Sequence, residues 1–337
     1  MKKTLTVACL TAALAATLAA PAAAAVKLSI RLNGGAAWLL DGAGDLERFR
    51  KGENALADDW AGDDFRTASF SWKKLSTIPE LSGELIIHLG PRLGIGIGVG
   101  YLEARAKADY ATAYSQSWSL AWGNFLETED YAIKRDLRAS AIPVTLSLHY
   151  ATPLSSRLNL TAQAGIGYYF GRLKHVCDVT DAYFYGYESE DFFDQKAYYD
   201  ETARTADEAT CNTLGFQGGL GLEMLLGRSL SLGFELYGRF VNFSGFKGDS
   251  AYEATSRERF WHETLGWWFD ETSTTASGET GDLYYWDWHS DYYGRDYAAL
   301  GVRATAPAGA GILSVRKAEV NLNRIGLLVT LRFRFDL

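Results

Sequence analysis

Eight segments of this chain alternate strictly between large apolar residues and small or polar ones, and that pattern decides most of what the chain can become. They are 28–40, 81–89, 93–101, 142–150, 158–170, 214–224, 230–240 and 325–337. In 93–101, LGIGIGVGY, glycines stand at 94, 96, 98 and 100, with Leu93, Ile95, Ile97, Val99 and Tyr101 between them. Period two is the period of a β-strand, so one face of this segment is bare and the other apolar. A phosphate-cradling fingerprint would need G-x-G-x-x-G opening a helix. The residues that follow, LEARAKADYATAYSQSW, carry no amphipathic helical period.

The faces opposite the apolar sets hold Gly, Ser, Thr, Asn, Gln, Glu and Arg, which cannot make a hydrophobic core. The apolar sets must therefore be buried on the outside. A bilayer supplies that place, and a closed barrel satisfies every backbone group within it. The pattern predicts an all-β protein: a closed antiparallel up-and-down transmembrane β-barrel of eight strands. Short connections (GPR, ATPLSSR, GRS) alternate with four long ones, roughly 41–78, 107–137, 173–212 and 244–313. Short turns at one end and long loops at the other suit a barrel whose ends face different compartments, here with both termini periplasmic. In so narrow a lumen the bare glycines of 93–101 are expected to make room for larger neighbours. Outward aromatics fall in two groups, Trp38, Tyr101, Tyr168, Phe170, Phe216 and Phe240 toward the long loops and Tyr150, Phe333 and Phe335 toward the short turns. Two such belts mark two water interfaces.

The first 25 residues, MKKTLTVACLTAALAATLAAPAAAA, have a basic start, an Ala/Leu-rich stretch and small-residue cleavage sites. They read as a secretory signal peptide, leaving 26–337 as one barrel domain. Without Lys2 and Lys3 the formal charge falls from -8 to -10, which disfavours nucleic acid as a partner. Beyond the leader, Cys177 and Cys211 remain. In an exported chain, at the two ends of the third long connection, they are expected to form a disulfide.

At the level of strand pattern, IPVTLSLHYATPLSSRLNLTAQAGIGYYF and the terminal GLLVTLRFRFDL resemble the small OmpA-type outer-membrane barrels of Gram-negative bacteria. The resemblance implies insertion among outer-membrane lipids and lipopolysaccharide, and a last strand read by the barrel-assembly machinery. The chain departs from the family in having Leu337 where a Phe is usual, and a peptidoglycan-binding function is not expected of it.

Inward positions carry Arg31, Glu84, Glu223, Glu235, Arg239, Arg332 and Arg334. Charges out of bulk water need partners, so these are expected to plug the lumen, with Arg31 facing Glu84 and Glu235 facing Arg332. A narrow porin-like channel is the alternative. Catalysis is the other: some small outer-membrane barrels are lipid A-modifying hydrolases, and omptins are proteases. WDWHSD places Asp287, His289, Ser290 and Asp291 in the last loop, but the companion carboxylate pair of an omptin is matched only by DDW and DDF in the first. The histidines and cysteines show no metal-ligand spacing, and no cofactor is expected. Residues 244–311 hold 11 Asp/Glu, five Lys/Arg and 14 aromatics. Such a surface suits recognition of a protein or glycan, or plain β-extension of the barrel. The expected function is a non-catalytic outer-membrane barrel with a plugged lumen and long surface loops.

Overall fold

The computed structural model describes residues 27–336, apart from 41–42, 62–65, 73–74, 76, 122 and 189–194. The signal-peptide segment and the DDF carboxylates lie outside the described residues. The chain is antiparallel β with one described helix. Eight strands close into a ring: β1 (Lys27–Leu39), β3 (Thr77–His88), β4 (Leu93–Leu120), β5 (Gly123–Pro153), β6 (Leu158–Glu188), β7 (Gln195–Leu225), β8 (Leu230–Ser244) and β14 (Arg324–Asp336). Each ring strand pairs with its neighbour in chain order, and β14 returns to β1 with Lys27 opposite Asp336. The ring therefore has no free edge.

Around the ring the apolar residues of all eight segments point outward. Leu81, Phe216 and Phe234 are 69%, 64% and 60% exposed, while inward Ser29, Arg31, Glu84, Ser147 and Glu235 are buried. The inner side has no room for more. A Cβ on Gly96 would collide with the Glu84 carboxylate and the Ser147 hydroxyl, and one on Gly219 with Glu235. The alternating glycines of β4 thus exist to admit the side chains of its neighbours.

The long connections are mostly not loops. β4 runs on past the ring to Leu120 and β5 starts at Gly123, and β6 and β7 likewise extend to Glu188 and from Gln195. The period stays two, but its hydrophobic sign inverts. On β4 the inward residues change from glycine to Leu102, Ala104, Ala106 and Ala108, all buried, while Glu103, Arg105 and Lys107 take the outer face. On β5, Leu137, Ala139 and Ala141 face in, and Asp136 and Arg138 face out. Beyond the ring the strands thus pattern as in a water-soluble sheet with a dry core.

That upper part, the head, is a wide sheet. β7 leaves β8 and pairs from Gln195 to Thr210 with β9 (Lys247–His262). Gly245, at φ 78°, turns the chain from β8 into β9. β10 (Gly266–Ser290), β11 (Arg295–Arg303), β12 (Ile312–Lys317) and β13 (Glu319–Asn321) complete that side, and β2 (Arg66–Trp72) pairs with β4 on the other. The described residues thus hold fourteen strands, eight in the ring and six added in the first and last connections.

Helix α1 (Asp45–Ala61) lies across the inner face between β2 and β11. Leu46, Phe49 and Ala57 repeat at helical spacing and are buried. Phe49 packs edge-on against Trp72 and His175, with ring centroids 5.6 and 5.3 Å apart. Ion pairs tie the helix along its length: Glu53 to Arg135 at 2.7 Å, Asp59 to Arg295 at 2.6 Å, and Asp45 to Arg316. Burial pushes the Glu53 carboxyl up, against the pull of Arg135. Each large apolar side chain fully buried here contributes about 1.5–3 kcal/mol.

The expected disulfide is absent, and the strand register explains why. Cys177 and Cys211 are free. They sit inside paired strands rather than at loop bases: Cys211 stands opposite Gly171, and Cys177 opposite Thr205. The offset is six residues (177 − 171), about 20 Å along the strand, whereas a disulfide needs Cα atoms within roughly 7 Å. Burial also pushes the Cys177 thiol up, so it is a poor nucleophile. A maleimide should label the half-exposed Cys211 without prior reduction and leave Cys177 slow until the head unfolds. Labelling that requires a reductant would contradict this register.

Candidate functional site

The ring encloses three tiers of charge, each built from alternate residues of adjacent strands. Nearest the short turns, Glu223 accepts from Ser231 at 2.7 Å and Asn159 at 3.2 Å, and pairs with Arg332 at 3.1 Å and Arg334 at 2.9 Å. In the middle, Arg31 reaches Glu84 at 3.6 Å, meets Glu235 directly and donates to Gln163 at 2.7 Å. Glu84 is also bonded by Ser147 and by His149 at 2.9 Å. Glu235, paired in sequence terms with Arg332, is held by Arg31 and Gln163 instead. The register puts Ser231, not Glu235, opposite Arg332.

The upper tier centres on Glu80, which meets Arg239 at 2.8 Å and Arg324 at 3.2 Å and accepts the Tyr237 hydroxyl. The Glu80 and Arg324 side chains are wholly inaccessible. Arg239 also donates to Gln217 at 2.9 Å and lies over the Tyr169 ring. Sequence reading missed Glu80 and Arg324. Parity could have found both, since Glu80 shares the inward parity of Glu84, and Arg324 that of Arg332. Above this tier the interior becomes apolar, with Leu102, Leu173, Val241, Phe243 and Leu322 buried in one cluster.

The free space follows the tiers. A chamber of about 270 Å³ opens at the short-turn end, lined by Arg31, Arg92, Arg332, Arg334, Glu223 and Glu235 among others. Between the middle and upper tiers only about 20 Å³ remains, enough for about one water. Each carboxylate of the three tiers is met by at least one guanidinium.

At the opposite extreme the strand tips carry aromatics. Trp118 and Phe125 stack at 5.3 Å, Phe125 and Tyr187 lie 4.7 Å apart, and Tyr198 bridges Phe184 at 4.9 Å to Trp267 at 5.9 Å. Arg259 and Lys196 lie over Tyr198 and Trp261. A groove of about 460 Å³ runs between Phe125, Phe184, Tyr187 and Lys196. These side chains sit on paired strands, so the surface is presented rigidly.

In the WDWHSD segment Asp287 and His289 take separate partners. Asp287 accepts from Tyr285 at 2.7 Å and Ser314 at 2.6 Å, while His289 turns to Asp296 at 2.7 Å and lies 3.9 Å from Asp291. Asp59, of the DDW carboxylates, is bonded to Arg295 and Tyr297. Among the described residues no group of three or more His, Cys, Asp or Glu is placed to hold a metal ion.

No family model matches this chain, and no curated protein does either. Among solved structures it is similar to the outer membrane protein OprG from Pseudomonas aeruginosa, at 10% identity and a TM-score of 0.30, covering 93% of this chain and 98% of that one. A major outer membrane protein from Thermus thermophilus matches at 14% identity and a TM-score of 0.25, over 92% and 100% of the two chains. The outer membrane protease OmpT from Escherichia coli matches at 8% identity and a TM-score of 0.24, over 92% and 97%. All three are outer-membrane proteins, and at these scores the likeness carries no inference about what this chain does.

Proposed function

We propose that the chain is an integral outer-membrane protein of the eight-stranded OmpA-like type, non-catalytic, whose plugged barrel anchors a rigid β-sheet head at the cell surface. One observation carries this reading. Every ring strand bears an outward apolar run, nine residues long in Leu93–Tyr101 of β4 and thirteen in Leu158–Phe170 of β6. A membrane-crossing strand needs about 9–11, and a closed ring leaves no backbone group unpaired in hydrocarbon. The runs stop where the hydrophobic sign inverts, which supports a head that stands in water. Outward aromatics at both limits, such as Trp38, Tyr168 and Phe240 above and Tyr150 and Phe335 below, suit the two interfaces.

In this reading lipids and lipopolysaccharide surround the ring, and the barrel-assembly machinery reads the last strand. The aromatic, acidic strand tips recognise a protein or glycan, because fixed Tyr and Trp side chains lose little entropy on binding. The stacked charge tiers and the dry cluster above them support a lumen closed to ions. His289 pairs with Asp296 and not with Asp287, so the couple read from WDWHSD is not formed. The protein refolded into planar bilayers is expected to show no steady conductance. Open-channel current at the nanosiemens level would overturn the plug and make the protein a channel.

A further inference from the structure

We propose that the chamber at the short-turn end is a binding site for a small phosphate-bearing anion. The proposal rests on the reading of the ring as a barrel whose short-turn end is open to water. The chamber's about 270 Å³ far exceeds what one water needs. At its mouth Arg332 and Arg334 share the single carboxylate of Glu223. Arg92, on the turn between β3 and β4, lines the same space and makes no ion pair with a carboxylate among the described residues. Three guanidinium groups less one carboxylate leave a local surplus of two positive charges. Deeper in, the balance reverses: Arg31 faces both Glu84 and Glu235. An anion is therefore drawn to the mouth and stopped at the middle tier.

The donors are in place as well. Arg332 is 8% exposed, and its Nε–H has no hydrogen-bond partner; Arg31, 3% exposed, leaves its own Nε–H unpartnered beside it. Both Nε–H groups are closed to solvent, so an anion in the chamber meets the terminal guanidinium nitrogens of Arg332 and Arg334, which already face Glu223 there. Guanidinium forks match tetrahedral and planar oxyanions by paired hydrogen bonds. Charge separates the two. A phosphomonoester carries about −1.5 to −2 at neutral pH, matching the surplus of two, whereas a carboxylate carries −1. His88 and His149 also line the chamber, already bonded to Ser29 and to Glu84 and Ser147.

The test is calorimetric titration of the full mature chain, refolded in detergent micelles, with inorganic phosphate and then glycerol phosphate at fixed ionic strength. Saturable one-to-one binding is expected, at least about tenfold weaker in Arg332→Gln, the loss of one charge-assisted hydrogen bond. Arg92→Gln lies on an exposed turn and leaves the fold intact, so its weaker binding is an independent requirement. Arg105→Gln, on the outer face of the head, should bind as the parent does. Absence of saturation, binding untouched by either substitution, or equal competition by chloride or acetate would each overturn the proposal. None of these outcomes bears on whether the lumen conducts, which the bilayer measurement decides alone.

Discussion

Replacing Glu80 by alanine is expected to cost about 3–5 kcal/mol of stability, because it strands Arg239 and Arg324 without their counter-charge. Glu80 is the only carboxylate that meets either guanidinium among the described ion pairs. Both arginines keep some N–H groups without acceptors even with it present. Removing all three charges together, as Glu80→Leu with Arg239→Met and Arg324→Met, should recover much of the loss, since a dry site tolerates apolar groups better than a lone cation. Urea titration of the vesicle-inserted protein, followed by tryptophan fluorescence, reads both variants. A loss below about 1 kcal/mol for Glu80→Ala would mean that water reaches the guanidinium groups, and the upper tier would then not seal the lumen.

Parity made the ring legible in the sequence, and parity also hid the head strands. Alternation at 28–40 or 142–150 reports which residues share a face, so ring strands and the inward placement of Arg31, Glu84 and Arg334 follow from parity alone. Parity does not say which environment a face meets. The outer halves of β4 and β5 keep period two while exchanging apolar and charged sides at Tyr101/Leu102 and Ala141/Ile142. A search for apolar sets of one sign stops at that exchange, so the continuation reads as loop. Helix α1 was hidden for another reason. Its buried face mixes Leu46, Phe49 and Ala57 with Arg50 and Glu53, so its period is masked by charge that the fold pairs off with Glu47 and Arg135. Register was hidden as well. The Cys177–Cys211 bond and the Glu235–Arg332 pair both required knowing which residues stand opposite, and an error of a few positions moves a partner by more than about 10 Å.

The exchange of signs also gives the strongest test of where the protein sits. Leu146 lies at the centre of the outward run Ile142–Tyr150 of β5 and is 40% exposed. In hydrocarbon, Leu146→Arg should cost ~2–4 kcal/mol, the range for arginine at the midplane of a membrane barrel. Ile142 begins the same run next to the charged zone, and its arginine variant should cost only ~0–1 kcal/mol. Thr180 points outward on β6, beyond the exchange and opposite Ala132 and Thr202. Thr180→Arg should stay within about 0.5 kcal/mol, as for an ordinary wet surface. Reversible urea unfolding from lipid vesicles measures all three on one scale. A protein partner wrapped around the ring would penalise Leu146 and Ile142 according to local packing, with no fixed order. Only a slab of hydrocarbon orders the cost by depth along a single strand, so equal losses at 142 and 146, or a loss at 180 as large as that at 146, would remove the ring from the bilayer.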